Sequence, residues 1–460
     1  MYSFYGSWCQ VEFLKSNWDL CWCDPRHVET AMAALDPVRR DDGRRVCHFR
    51  NHYELTRKNL LSRNLSRLRR RYVREGGEEK ASLCDIMPLT FELPGDYKMF
   101  TEHHRKNPED IWIVKPVTGS QGRGIFLFKS GEQARGGTTH IVQRYVHRPF
   151  LVAGRKFDLR IYVLVTSFCP LKVWVAREGF ARVCTHQFSL ERLDDKLGHL
   201  TNTTLRLRND PSDTFGSKWP LMDLRQWVEL NHGKLAIMGL VHDAGRLVLT
   251  ALTAAQTAVS HDPHCFELYG FDILIDADLR LWLLEVNASP SLAPSDADDQ
   301  RLKHDLLQDV FNILDFEGKL TGKERRVGGF DLLCNGEPLW APVPGGRQVD
   351  TRYLNLYLAT AVLQTVPSSS VQPLSSIISP PLVRQDPVTA VLHHPASMLP
   401  LSAAGFSGHY QTGHGGIACR MLIQLMVQQH HQVITLLARQ RDVVQCCFIM
   451  GHTKSTHEHV

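Results

Sequence analysis

A chain of 460 residues with 43% hydrophobic and 22% charged residues has the composition of an ordinary globular protein with room for two or three domains, which excludes disorder throughout. Its formal net charge of +5 is a mild basic excess, compatible with acidic partners but singling out neither nucleic acid nor a membrane surface. The opening Met1-Tyr2-Ser3-Phe4-Tyr5 carries no basic stretch followed by an apolar one, so no secretory leader is expected, and no apolar run near the ~18 residues of a membrane span is read. The 12 cysteines are scattered, and neither Cys21-Trp22-Cys23 nor Cys446-Cys447 has a partner pair at zinc spacing; they read as reduced thiols in a cytoplasmic protein.

From about Val46 to Leu333 strand-like and helix-like patterns alternate with short connectors, which predicts a mixed α/β fold. The first element is a helix over about Leu60 to Arg74. Leu61, Leu65, Leu68 and Tyr72 share one face, and Arg63, Arg67, Arg70 and Arg74 fall opposite. The leucine stripe should pack on the core; the arginines then face solvent, as a solubilising row or as a dock for something acidic.

Next comes the short strand Ile111-Trp112-Ile113-Val114-Lys115-Pro116, then Gly119-Ser120-Gln121-Gly122-Arg123-Gly124, then a second strand from Ile125 to Phe128. Strand, glycine loop, strand makes a flap whose backbone N–H groups could approach phosphate oxygens, although a plain tight turn gives the same pattern and the spacing is neither of the standard phosphate-loop fingerprints. The segment Gln143-Arg144-Tyr145-Val146 follows. In the strand from Arg155 to Val165, Lys156, Asp158, Arg160 and Tyr162 alternate with Phe157, Leu159, Ile161 and Val163. The charged face is either part of a site or an ordinary solvated surface.

The strongest local signal is Phe271-Asp272-Ile273-Leu274-Ile275, a turn around Asp276 to Arg280, and Leu281 to Asn287, which reads as a β-hairpin. Glu285 and Asn287 point the same way, with Cα atoms roughly 6.7 Å apart. A turn that sets Asp276 opposite Leu281 sets Asp272 opposite Glu285. Two carboxylates facing each other among apolar strands call for a cation, and Mg²⁺ is commonly held by one or two carboxylates with its other sites on phosphates. A carboxylate pair at a wet sheet edge is the alternative.

After Cys334 the composition changes. Pro338, Pro342 and Pro344, then Val366-Pro367-Ser368-Ser369-Ser370 and Ser379-Pro380-Pro381, predict a flexible tail, with one amphipathic helix near Met421 to Arg439. The domains read as an N-terminal segment, 1–45; a catalytic region, 46–333; and the tail, 334–460.

The order strand-lysine, glycine flap, Gln-Arg-Tyr-Val segment, Lys-x-Asp-x-Arg strand, Asp strand and Glu-x-Asn strand resembles the ATP-grasp ligases. Trp112 to Pro116 with Gly122-Arg123-Gly124, Gly154 to Tyr162, His199-Leu200-Thr201-Asn202 and Glu285-Val286-Asn287-Ala288-Ser289-Pro290-Ser291-Leu292 look more narrowly like the tubulin tyrosine ligase-like family, over about His48 to Leu333. That resemblance implies an α+β ATP-grasp fold holding ATP between two mixed sheets, with a smaller N-terminal domain. It also implies roles. Lys115, Lys156 and the flap (Gln121, Gly122, Arg123, Gly124, Ile125) hold ATP phosphates, while Gln143, Arg144, Tyr145 and Val146 line the adenine. Asp158, Thr201 and Asn202 belong to the same pocket. Asp272, Glu285 and Asn287 bind Mg²⁺; Lys115, Lys156, Arg160 and Glu285 form the catalytic set; Arg182, Thr203, Thr204, Lys218 and Lys303 surround the incoming amino acid. Arginine suits that task because its planar fork pairs with a carboxylate.

The activity so implied is ATP-dependent addition of glutamate to a glutamate side chain of tubulin through an acyl phosphate, as in the polyglutamylases of the family. Glycine or tyrosine as the added residue stays open, and a decayed site on a microtubule-binding protein is opposed by the presence of Lys115, Lys156, Asp272, Glu285 and Asn287. The expected partners are tubulin and the acidic tails of microtubules, with no nucleic acid, and the expected place is the cytoplasmic cytoskeleton, in a cilium axoneme or basal body. Two departures from the family stand out. The span between Phe128 and Ile141 is short, and the chain after Cys334 shows no likeness.

Overall fold

The computed structural model describes residues 19–33, 35, 43–117, 124–129, 139–201, 218–339 and 446–449. Gln121, Gly122, Arg123, Asn202, Thr203, Thr204 and the Met421 to Arg439 segment therefore lie outside the described residues, as does most of the Phe128–Ile141 span.

The described chain begins with β1 (Leu20–Cys23), α1 (Val28–Ala33) and β2 (Arg45–Val46). β1 and β2 pair in parallel, and their buried Leu20, Cys21 and Val46 belong to the main core. Helix α2 (Tyr53–Thr56) leads into α3 (Lys58–Ala81), which stays helical until Gly76 and Gly77 interrupt it; Gly77 takes φ 70°, a conformation glycine adopts without steric cost. Leu61, Leu65 and Leu68 of α3 are buried in the main core and Tyr72 packs against it, as the stripe required. Asn64 is buried beside them and donates to the backbone carbonyl and the side chain of Glu54, both at 2.9 Å.

A four-stranded sheet follows, built from β3 (Thr90–Leu93), β4 (Trp112–Pro116), β5 (Phe126–Phe128) and β6 (His140–Arg144), with α4 (Tyr97–Lys106) after β3. Its order is β3-β6-β4-β5 and every pairing is antiparallel. Successive residues alternate faces. Trp112 and Val114 pack with Phe91, Phe100, Phe128 and Val142 in a core of this sheet's own, which turns Ile113 and Lys115 to the opposite face.

The large sheet takes β7 (Leu151–Val152), β8 (Arg155–Phe168), β9 (Leu171–Val183) and, after α5 (Lys196–His199), β10 (Lys218–Pro220). Helices α6 (Leu221–His232) and α7 (Lys234–Ala255) precede the hairpin β11 (Glu267–Ile275) and β12 (Leu281–Asn287). Helix α8 (Ala297–Leu314) precedes β13 (Arg326–Val327), β14 (Phe330–Asn335) and β15 (Glu337–Pro338). The path is β12-β11-β8-β9-β14-β13, with β7 on β8, β10 on β9 and β15 on β14.

All of these pairings are antiparallel, so the expected mixed sheets are corrected. Hairpins join β4 to β5, β8 to β9 and β11 to β12, and a hairpin can only produce antiparallel neighbours. The fold is α+β. Among the described residues parallel strand pairing involves β1, β2 and β16 (Cys446–Ile449), with an isolated parallel bridge from Val46 to Cys265; four residues of the stretch read as tail thus add a strand to β1.

Helix α7 carries no uninterrupted apolar run of span length, since Asp243 and Arg246 fall within it. Over an 18-residue window its mean hydropathy is 1.5, long and apolar enough to cross a bilayer by those measures alone. Here Leu247, Val248, Ala251, Leu252 and Ala255 are buried in the core, and α3 packs along it.

Candidate active site

The two sheets supply the walls of one cleft. From the small sheet come Ile113, Lys115, Gln143, Arg144, Tyr145 and Val146; from the large one Lys156, Asp158, Arg182, Asp272 and Glu285; Ile125 and Thr201 also line it. Residues scattered over more than a third of the chain thus meet, and most of the sequence-derived candidates are among them.

Lys115 is only 8% exposed and donates to Gln143 Oε1 at 2.7 Å, while Gln143 donates to Thr90 Oγ1 at 2.8 Å. Burial, with Lys58 and Lys156 repelling it, brings the Lys115 ammonium down to about 7. Lys156 donates to the Tyr145 hydroxyl at 3.0 Å and to the His199 carbonyl at 2.9 Å, with its ammonium 4.4 Å from the Tyr145 ring centre. His199 Nε2 lies 2.9 Å from the Arg192 carbonyl and must donate to it, so Nδ1 accepts from the Tyr145 hydroxyl at 2.9 Å. Burial lowers the His199 pKa, consistent with that neutral ring. The N–H groups of Arg144 and Tyr145 are spent on the carbonyls of Leu89 and Ile111.

The charged face of β8 is not a solvated surface. Lys156, Asp158 and Tyr162 are all buried. Asp158 accepts from Arg182 Nε and Nη2, both at 2.7 Å, and from Thr201 Oγ1 at 2.6 Å. Arg160 holds Asp272 through Nε at 2.6 Å and Nη2 at 3.1 Å, and Arg182 adds a contact to Asp272 at 2.8 Å. Burial alone would raise the Asp272 carboxyl, but the two guanidinium groups overcome it and hold it below the usual carboxylate range. Burial likewise opposes the Arg182 charge, which Asp158 and Asp272 keep well above its ordinary value. Gly270 makes room for this arrangement: a Cβ there would stand 3.1 Å from Arg160 Cδ and 3.0 Å from Pro290 Cβ.

Asp272 does oppose Glu285, by a different route from the one expected. The turn is one residue longer than expected, with Ile275 opposite Leu281, and a bulge between Asp272 and Ile273 skips Leu284 and restores the pairing. Asn287 falls opposite Gly270 and donates to Asp272 Oδ2 at 3.3 Å. The cations that neutralise the two carboxylates come from the protein itself, which corrects the inference that the pair requires a metal ion. Asp272 has Arg160 and Arg182, and Glu285 has Lys58, whose Nζ lies 2.6 Å from Oε2. No group of three or more His, Cys, Asp or Glu side chains is arranged for a metal among the described residues.

Arg160 and Asn287 do not line the cleft, and neither do Lys218 and Lys303. The two lysines both reach Asp299 Oδ2 at 2.8 Å, and Lys218 sits opposite Arg182 across β9 and β10. Gly124 takes φ +68°.

Two charged participants escaped the sequence reading. Lys58 opens α3 with Arg57 before it and no side-chain cap. Two cations at a helix N-terminus oppose the helix dipole, and that misplacement was the visible clue. Asp299, in the first turn of α8, reads as an ordinary dipole-favourable acid, so nothing marked it.

Residues 38–321 match the family model described as the tubulin-tyrosine ligase family. The chain is 42% identical to "Probable tubulin polyglutamylase TTLL9" of Mus musculus, over 72% of this chain and 80% of that protein. It is 41% identical to "Probable tubulin polyglutamylase ttll-9" of Caenorhabditis elegans, over 72% and 81%, and 37% identical to "Probable alpha-tubulin polyglutamylase Ttll1" of Tetrahymena thermophila, over 69% and 85%. With a family match across the whole cleft and relatives aligned over most of their length, the chain belongs to the tubulin-tyrosine ligase family.

Proposed function

We propose that this chain is an ATP-dependent tubulin polyglutamylase that joins the amine of glutamate to a glutamate side-chain carboxylate of tubulin. The observation carrying the reading is the meeting of Lys115, Lys156, Arg182, Asp158, Asp272 and Glu285 in one cleft between two antiparallel sheets, together with the names of the relatives. In this reading Lys115 and Lys156 hold phosphate oxygens, and the Gln143–Val146 segment lies along the adenine. Glu285, held only by Lys58, and Asn287 would hold Mg²⁺ through side-chain oxygens, while Asp272, whose two oxygens are engaged by Arg160 and Arg182, orients Asn287 through its hydrogen bond. When bound, the ion supplies charge neutralisation at the phosphates.

In the first half-reaction an acceptor carboxylate oxygen attacks the γ-phosphorus, ADP leaves, and an acyl phosphate results. The glutamate amine then attacks the acyl carbon, phosphate departs with the C–O bond electrons, and the amine loses a proton. The lysine ammonium groups stabilise the charge that builds on the transferring phosphoryl group. No enzyme nucleophile is needed. Arg160, whose guanidinium is spent on Asp272, acts as a positioning residue rather than a group that touches substrate. Lys218, Lys303 and Asp299 form the polar wall beside Arg182 against which the incoming amino acid is read. The proposed place of action is the microtubule cytoskeleton.

Microtubules supplied in parallel with labelled glutamate, glycine or tyrosine test the reading. Glutamate incorporation that needs ATP is expected. Incorporation of glycine or tyrosine instead, or none in a folded protein, overturns it.

A further inference from the structure

Two hydrogen-bond chains end on the two lysines of the cleft, and both pass through one stretch of backbone. Gln143 lies directly opposite Thr90 in the β3–β6 register and one step diagonal to Lys115, which faces Ile141 across β4 and β6. Thr90 donates its hydroxyl proton to the Pro88 carbonyl at 2.7 Å, so toward Gln143 it can only accept, and it takes Nε2 at 2.8 Å. That fixes the amide, whose Oε1 must turn the other way to Lys115 Nζ, 2.7 Å off. At 1% exposure, Gln143 acts on the cleft through the lysine it holds.

Two residues on, Tyr145 packs with Ile111 and Ile113 on the same face of the small sheet. Its hydroxyl proton goes to His199 Nδ1 at 2.9 Å, because the Arg192 carbonyl holds the other ring nitrogen as a donor, and its oxygen is then an acceptor for Lys156 Nζ at 3.0 Å. Burial raises the Tyr145 pKa, which keeps that proton in place. Lys156 also donates to the His199 carbonyl, so among the described residues one of its three N–H bonds is left for a ligand. Lys115 belongs to the small sheet and Lys156 to the large one, so the end of β6 holds a cation from each wall of the cleft.

The geometry points to Gln143 and Tyr145 as positioning residues whose side chains aim Lys115 and Lys156, while the backbone of the same stretch lies along the base, so that one strand sets the register between base and phosphate-holding cations. The inference rests on the ligase reading above. Neither side chain touches a phosphate. A side chain that only lined the base would act on nucleoside and nucleotide alike, whereas one that acts through a lysine changes the hold on the charged part of the ligand alone.

Titration calorimetry with a non-hydrolysable ATP analogue and Mg²⁺, beside ligand-detected NMR with adenosine, separates the two. Tyr145→Phe, which keeps the ring beside Lys156, and Gln143→Leu are each expected to raise the Kd of the analogue about tenfold, the loss of one hydrogen bond to a charged group, and to leave that of adenosine within about twofold. Tyr145→Phe should add nothing to Lys156→Met, and Gln143→Leu nothing to Lys115→Met, while each crossed pair binds the analogue more weakly than either parent. In ligation, kcat and the KM for ATP should change with the KM for glutamate kept. Thr90→Val, at the half-buried far end of the first chain, is expected to shift the same ratio in the same direction and replaces Gln143→Leu should the leucine disturb folding. Equal losses for adenosine and the analogue, no loss for either, or further weakening by Tyr145→Phe in the Lys156→Met background overturns the proposal. A wild type that ligates no amino acid defeats the ligase reading and leaves the ratio of analogue to adenosine affinity to judge the strand.

Discussion

Replacing Lys115 by methionine removes a cation whose charge burial has made conditional. The ammonium sits against Gln143 with Lys58 and Lys156 nearby, and burial brings its pKa from 10.5 to about 7. A depressed lysine binds fewer protons folded than unfolded between about pH 7 and 10.5, so its burial penalty is greatest below pH 7. The protein should gain stability as pH rises through that window, and Lys115→Met should flatten the gain. Nucleotide binding has the opposite sign, because phosphate oxygens favour the ammonium and binding above pH 7 must first restore the proton. At pH 8 a group titrating at about 7 is charged in about one molecule in eleven. The lysine's contribution to affinity therefore falls about tenfold from pH 6 to 8, or about 1.4 kcal/mol. Titration calorimetry with a non-hydrolysable ATP analogue at saturating Mg²⁺ reads this as the ratio of wild-type to Lys115→Met affinity, in which the nucleotide's own titration cancels. A ratio that stays constant from pH 6 to 8 would refute the reasoning.

Glu285→Gln should lower ligation turnover by about 10²-fold or more with the melting temperature kept, and incorporation within a few fold of wild type would remove Glu285 from the catalytic set. Gly270→Ala should cost about 1–3 kcal/mol, because its Cβ meets Pro290 and Arg160 at 3.0 and 3.1 Å; an unchanged urea midpoint counts against that packing. Arg160→Met should cost about 3 kcal/mol, the low end for breaking a buried pair, since Arg182 still holds Asp272. Because Asp272 is held below its ordinary range, its contribution is present above the unfolded carboxylate pKa and lost as pH falls below it. The same variant should therefore unfold at a higher pH on acid titration, and an identical acid midpoint would contradict the pair's role.

Much of the cleft was legible because strand alternation is a local property. Lys115, Lys156, Asp158, Asp272 and Glu285 each declare their face through their own neighbours, and the structure gathers them on facing sheets. The hairpin shows the limit of that reading. The opposition of Asp272 and Glu285 holds, but the longer turn and the bulge at Leu284 cancel each other, and Leu284 turns into the cleft as a result. Two compensating errors of register leave no trace in an alternating pattern. The mixed sheets came with the family resemblance and not from any local pattern, whereas β4 and β5, β8 and β9, and β11 and β12, each consecutive in the chain, pair antiparallel. Counter-charges were the least legible, since a salt bridge is a contact between distant segments: Arg160 and Arg182 come from β8 and β9, and Lys58 from a helix whose amphipathic pattern advertised only its leucines.

That distribution of counter-charges divides the carboxylate face into a fixed half and an exchangeable half. Asp272 lies opposite Arg160 in the β8–β11 register and receives two guanidinium groups, one of them bidentate, in a site where all three groups are largely buried. Breaking those contacts strands a charge in a low-dielectric interior, so they behave as scaffold. Glu285 is different. It is 29% exposed and has one ion-pair partner among the described residues, an ammonium at the end of a flexible four-carbon stem. A contact of that kind can be traded for another cation or anion at small cost, which places the ligand-responsive part of the cleft at Glu285 and Lys58. Because Lys58 is also the first residue of α3, whatever ligand draws it from Glu285 acts on that helix as well.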